Sequence, residues 1–128
     1  MINRNVPSII VPVDPKGWGA IYALHEDDFD YLVFPINEEH ITMLFGKNFF
    51  DLINEKLDVW IDAYEEAVIA DPLKINRLIA YLSSTEFRDR IHAIGEINDN
   101  SIADYYADKI ILMAKKALRL QTPILFHF

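Results

Sequence analysis

The chain contains no cysteine and only four glycines among its 128 residues. Without cysteine it can form no disulfide, no thiolate-ligated zinc site and no thiol nucleophile. The few glycines leave neither a GxxxxGK[ST] nor a GxGxxG motif, so the two common glycine-rich phosphate loops are excluded. A composition free of cysteine suits a reducing compartment.

Long apolar runs are also missing. No stretch approaches the roughly 20 apolar residues that a membrane-spanning helix needs. The opening MINRNVPSIIVPV is short, is interrupted by Pro7 and Pro12, and lacks a cleavage pattern of small residues. We therefore expect no signal peptide and a cytoplasmic location.

Positive charge is scarce in the first half of the chain. Residues 1–70 carry 13 acidic and 4 basic side chains, a net charge of −9, whereas residues 71–128 carry 7 acidic and 8 basic ones, a net charge of +1. Nucleic acids and anionic membranes attract basic surfaces, so we expect neither as a partner. A basic protein partner is compatible with this charge.

The composition is that of one globular domain over residues 1–128, with 52% hydrophobic and 25% charged residues. Runs of β-branched and aromatic residues predict a three-stranded meander over 8–13, 18–24 and 29–34. Residues 14–17, with the sequence DPKG, predict a β-turn, and Pro12 predicts that the first strand lies at an edge. The apolar tail ILFHF, residues 124–128, predicts a strand that returns to the sheet.

Five helices are predicted from capping residues and from apolar residues at helical spacing. The predicted caps are Asn37, Asn48, Asp71, Ser83 and Ser101. They begin helices over 38–46, about 49–69, from 72, from 84 to Gly95, and about 102–120. Strands grouped before helices predict an α+β fold: a small antiparallel sheet, made of the N-terminal meander and the C-terminal strand, packed against about five helices.

The predicted helix over 49–69 carries a cluster of negative charge. At about 100° per residue, six acidic side chains fall within an arc of about 100°: Asp51, Glu55, Asp58, Asp62, Glu65 and Glu66. Trp60 falls on the opposite, apolar face, and we expect it in the core. A solvated helix face explains the arc most simply. No lysine or arginine alternates with these acids, however, so a surface for a cationic partner is the second interpretation.

Further acidic residues lie in the predicted turn before the third strand: Glu26, Asp27 and Asp28. We expect them to join Asp51, Glu55, Asp58, Asp62 and Glu66 in one partner-binding surface, with Trp18 as an aromatic anchor. Asp27, Asp28 and Asp30 also suggest oxygen ligands for a cation. The glycine and the bidentate glutamate of an EF-hand loop are missing, so we expect no metal site.

The four histidines stand outside any catalytic motif: His25, His40, His92 and His127. None belongs to HExxH or to a spaced ligand pair, and no nucleophile elbow is present. We therefore expect neither a cofactor nor an enzyme. A small enzyme that uses His25 or His40 with a neighbouring acid is the last of three hypotheses.

No stretch carries a family motif. In general character (small, acidic, free of cysteine and of catalytic motifs) the chain is similar to bacterial immunity proteins. That likeness implies a non-enzymatic protein that neutralises a basic protein partner, specifically an inhibitor of a nuclease-type toxin that mimics the charge of nucleic acid. The alternative is a structural, adaptor or oligomerisation module that binds through its apolar C-terminal segment, residues 124–128.

Overall fold

The computed structural model describes residues 5–18, 29–63 and 65–128. Within them the chain forms four strands and five helices, and the predicted α+β class is confirmed. In chain order the elements are β1 (Ser8–Pro12), β2 (Tyr31–Pro35), α1 (Glu38–Gly46), α2 (Phe49–Leu57), β3 (Glu66–Ile69), α3 (Pro72–Ser83), α4 (Thr85–His92), a 3₁₀ turn (Ile97–Asp99), α5 (Asn100–Leu120) and β4 (Ile124–His127).

The sheet is antiparallel, with the strand order β2-β1-β4-β3. The apolar tail supplies β4, which pairs with β1 on one side and with β3 on the other. The predicted return of the tail to the sheet is therefore confirmed. Because both edges of β4 are hydrogen-bonded within the sheet, this strand has no free edge.

The N-terminal strands differ in part from the prediction. β1 is flanked by β2 and β4, so the prediction of an edge strand was wrong. Pro12 is tolerated because β4 pairs only with Ser8–Ile10, which leaves the proline beyond that ladder. The predicted strand over 18–24 lies almost wholly outside the described residues. The turn over 14–17 is confirmed by a 2.8 Å hydrogen bond from the Gly17 amide to the Asp14 carbonyl.

The predicted helix over 49–69 was wrong in its second half. α2 ends at Leu57, and Asp58 adopts a left-handed conformation with φ of 54°. Residues 66–69 instead pair with β4, because Val68 and Ile69 are β-branched and the sheet offers a complete ladder. Asn48, also left-handed, makes no side-chain cap, so the capping box predicted there does not form.

The other predicted caps fall into two groups. Asn37 and Asp71 accept hydrogen bonds from the amides of Glu39 and Leu73, as predicted. Ser84, rather than Ser83, caps α4 by accepting from Phe87. α5 begins at Asn100 without a side-chain cap, so the prediction for Ser101 was wrong. These shifts move the starts of α4 and α5 by one or two residues, and α4 ends at His92, before the predicted end at Gly95.

The main core lies between the helices and one face of the sheet. Alternate strand residues enter it, such as Ile9 of β1 and Phe126 of β4, and α5 contributes Ala107 and Ile110. Aromatic rings connect its parts, and Phe50 contacts other rings at centroid distances of 4.9 to 6.4 Å. The opposite face of the sheet carries a smaller cluster around Ile10 and Leu125.

A buried lysine joins three segments of the chain. Lys47 lies in the turn between α1 and α2 and is only 1% exposed. Its Nζ donates hydrogen bonds to the carbonyl oxygens of Ile91 and Ile94 and to Oδ1 of Asn100, at 2.5 to 3.1 Å. All three ammonium protons therefore have acceptors. The carbonyls lie at the C-terminal end of α4, where the helix dipole favours a cation.

Replacing Lys47 with methionine should lower the free energy of unfolding by about 2–4 kcal/mol, because three acceptors lose their donor. Methionine keeps much of the apolar stem, so packing changes little. Urea unfolding measures the difference. The half-exposed Lys56 is the control, and Lys56→Met should cost less than about 1 kcal/mol. Equal decreases in the free energy of unfolding for Lys47→Met and Lys56→Met would show that the buried hydrogen bonds of Lys47 do not stabilise the fold.

Deleting residues 123–128 should abolish cooperative unfolding. The deletion removes a strand that pairs on both sides and exposes the core around Ile9 and Ile69. Far-UV circular dichroism and amide chemical-shift dispersion would report the loss. A shortened chain with native dispersion and a sharp urea transition would show that β4 is dispensable for folding.

Candidate protein-binding surface

The segment from Asp58 to Ala63, here the acidic loop, follows α2 and is held by one side chain. Asn54 of α2 binds the backbone of Ile61 in both directions. Its Nδ2 donates to the Ile61 carbonyl at 2.8 Å, and its Oδ1 accepts from the Ile61 amide at 2.7 Å. Ile61 itself is buried. The amide group thus satisfies a main chain that lies outside any ladder, and it fixes the loop against α2.

The acidic loop presents Trp60 to solvent. Its side chain is 75% exposed, so the prediction that it belongs to the core was wrong. The helix ends three residues earlier, and the helical spacing that predicted a buried position no longer applies. Asp58 and Asp62, on either side of it, are also exposed. Tryptophan is enriched at interface hot spots, which makes this loop a candidate contact.

Two more acids lie beside the loop. Asp51 and Glu55 are exposed and stand one turn apart on α2, and Asn54 shares their side of the helix. Because Asn54 binds Ile61, the acidic loop lies against this side of α2. Four of the predicted residues are therefore exposed on α2 or on the loop that Asn54 holds against it, together with one that the prediction had placed in the core. They form what we term the acidic surface: Asp51, Glu55, Asp58, Trp60 and Asp62.

Among the residues that the structure describes, no cationic side chain pairs with a carboxylate of the acidic surface. Lys74 and Arg77 of α3 approach this region, but they donate to the main-chain oxygens of Asp58 and Lys56, each at 3.0 Å. Those bonds satisfy the C-terminal end of α2. Within the described ranges, the salt bridges involve no acid of the acidic surface.

The remaining predicted site residues lie elsewhere. Glu66 is in β3, where its Oε1 lies 3.0 Å from Nδ1 of His127, so it does not extend the acidic surface. Trp18 follows the turn at the Pro12 end of β1, whereas the acidic loop precedes Glu66, which shares the sheet row of Ser8. Trp18 therefore lies toward the opposite end of the sheet. Glu26, Asp27 and Asp28 fall outside the described residues.

A groove of about 350 Å³ opens beside the acidic loop. Its walls come from α1, from the end of the acidic loop and from the segments that flank β1 and β4. The lining residues are Pro7, Glu38, Ile41, Thr42, Phe45, Ala63 and Phe128. Among the described side chains that line the groove, Glu38 supplies the one carboxylate, and it is exposed. Sequence reasoning missed this groove, because its residues are brought together only by the sheet.

The negative charge of Glu55 acts on the pKa of Tyr81 in α3. Burial raises the pKa of the Tyr81 hydroxyl, Arg90 lowers it, and Glu86 and Glu55 raise it further. The net shift is upward from 10.0, so Tyr81 stays protonated at neutral pH.

The described histidines take part in contacts between elements. Nδ1 of His40 lies 2.6 Å from the Tyr106 hydroxyl. His92 and Arg88 share the Asp104 carboxylate, which joins α4 to α5. His25 lies outside the described residues. In the part of the chain that the structure describes, no group of three or more histidine, aspartate or glutamate side chains could hold a metal ion.

Comparison with family models, with curated proteins and with solved structures finds no match to this chain. Among the helices in the described ranges, none combines the length and the hydropathy needed to cross a membrane.

Replacing Asn54 with alanine should release the acidic loop. The Ile61 amide and carbonyl would lose their partners, and the free energy of unfolding should fall by about 1–3 kcal/mol. Amide hydrogen exchange should become faster at Ile61. Asn76, exposed on α3, is the control, and Asn76→Ala should change stability by less than about 0.5 kcal/mol. Unchanged exchange at Ile61 in the Asn54 variant would mean that other contacts hold the loop.

Proposed function

We propose that this chain is a non-enzymatic binding protein that neutralises a basic protein partner, specifically an immunity protein that inhibits a nuclease-type toxin. The observation that carries the proposal is the exposed Trp60 between Asp58 and Asp62, on a loop that Asn54 fixes to α2. Tryptophan is enriched among interface hot spots, and a fixed loop loses little entropy on binding.

The distribution of cations supports the proposal. Several bases already serve the fold: Lys47 is buried, Arg88 binds Asp104 and Asp108, and Arg77 binds a main-chain oxygen. Asp51 and Glu55, in contrast, repel each other at i,i+4 spacing, at about 0.2–0.5 kcal/mol. Cations supplied by a partner would relieve that repulsion and would gain charge-assisted hydrogen bonds.

Neutralisation would proceed by occlusion. A nuclease binds the phosphate backbone of its substrate through lysine and arginine side chains. Exposed carboxylates on the acidic surface would compete for the same side chains, and Trp60 would add apolar contact at the centre. Long-range attraction between opposite charges would speed association, so the association rate should fall as salt rises.

No specific observation favours the alternative of an adaptor that binds through residues 124–128. All of these residues except Phe128 form β4, whose two edges are occupied by β1 and β3. Donation of this strand to a partner would require the sheet to open first, with loss of the buried contacts of Ile124 and Phe126.

Capture from an extract of the native host at low salt should recover a basic protein with nuclease activity. The purified partner should degrade plasmid DNA alone and should be inhibited by this chain. The triple variant Asp51→Asn, Glu55→Gln, Asp62→Asn should bind at least about tenfold more weakly and with less dependence on salt. Trp60→Ser should weaken binding by about 2 kcal/mol or more.

Matched control variants distinguish the loss of specific contacts at the acidic surface from a change in the net charge of the protein. The triple variant Asp89→Asn, Glu96→Gln, Asp99→Asn changes net charge equally, at residues outside the acidic surface. Ile97→Ser removes an apolar side chain that is 81% exposed. Both controls should bind nearly as the unaltered chain does. A partner that is acidic or neutral, or control variants that lose as much affinity as the site variants, would refute the proposal.

A further inference from the structure

We infer that the groove beside the acidic loop is a receptor for one arginine side chain of the basic partner. The inference rests on the proposed function only for the source of that arginine. Ala63 lines the groove and directly follows Asp62 of the acidic surface. A protein that covers the acidic surface therefore has the groove within reach.

The walls of the groove suit the stem of a long side chain. Ile41, Phe45 and Phe128 line it, and each is only partly buried, so apolar surface faces the opening. Methylene groups of arginine would cover this surface while the charged end stays near solvent. The rings of Phe45 and Phe128 meet edge to face, with centroids 6.0 Å apart, and a partly exposed ring face attracts a guanidinium group.

The polar end of the groove selects a cation. Glu38 lies in the first turn of α1 and, among the described contacts, takes part in no salt bridge. Asn37 already caps this helix by accepting from the Glu39 amide, so the Glu38 carboxylate is not needed as a cap. Its negative charge disfavours an anionic occupant. The volume of the groove, about 350 Å³, lies at the low end of the range for ligand sites.

The groove favours arginine over lysine for two physical reasons. A guanidinium group is planar and can donate two parallel hydrogen bonds to one carboxylate, here Glu38. It is also more weakly hydrated than an ammonium group, so it loses less on entering a groove with apolar walls. Thr42 donates its hydroxyl proton to the Glu38 carbonyl at 3.0 Å, which leaves its oxygen as a further acceptor.

Nα-acetyl-L-arginine methylamide, titrated into the ¹⁵N-labelled chain, tests the inference directly. The amide resonances of Ala63, Thr42 and Phe45 should shift in a saturable way. The corresponding norleucine and lysine derivatives should bind at least about threefold more weakly. Glu38→Gln should weaken arginine binding about fivefold. Glu39→Gln is the matched control, because it removes a neighbouring exposed carboxylate that does not line the groove.

Several results would overturn the assignment. Norleucine or lysine binding as tight as arginine binding would remove the selectivity, and shifts confined to other regions would place the site elsewhere. If Glu39→Gln and Glu38→Gln weaken arginine binding equally, the effect comes from the overall negative charge and not from the groove. These results differ from a failure of the proposed function. Selective arginine binding in the groove, without a basic partner from the host, would refute the function alone, and capture of a basic toxin without arginine binding would refute the groove alone.

Discussion

The pairing of β4 with both β1 and β3 is the constraint on which the rest of the structure depends. It places the C-terminal strand inside the sheet and aligns Ser8, Glu66 and His127 in one row. Residues 58–65 therefore connect the end of α2 to the start of β3. The acidic loop is the first part of that connection, and the groove opens at the same end of the sheet. Both candidate sites are consequences of one strand pairing.

The two sites differ in what they offer a partner. The acidic surface combines carboxylates with a protruding aromatic ring, which suits broad contact with a basic protein. The groove is concave, and Glu38 is the one carboxylate among its described lining side chains, which suits one inserted side chain. Steering by charge is sensitive to salt and tolerant of geometry, whereas insertion into a groove depends on shape. The acidic surface would then raise the association rate of the partner, and the groove would lower the dissociation rate of the correct partner.

The sequence predicted correctly those elements whose formation depends on residues close to one another in the chain. Asn37 and Asp71 predict helix starts, the apolar spacing of α5 predicts its buried face, and the apolar tail predicts a strand. The prediction of a helix over 49–69 was wrong because the apolar residues keep helical spacing past Leu57. Residues 66–69 pair instead with residues 124–127, which are too distant in sequence for a local pattern to reveal. Trp60 was misplaced for the same reason. The groove was beyond prediction, since Pro7, Phe45 and Phe128 meet only after the sheet forms.

Lys47 also affects which compact arrangements of the chain are permitted. An ammonium group that leaves water is stabilised only if every proton finds an acceptor, and a partly bonded one is costly. The Ile91 and Ile94 carbonyls and the Asn100 amide oxygen surround Nζ together only when α4 ends and α5 begins at their native positions. In a compact chain with these helices shifted by one turn, the Lys47 ammonium group would be buried in an apolar interior without its hydrogen-bond acceptors. The lysine therefore acts as a check on correct assembly, in a protein that has no disulfide to perform that task.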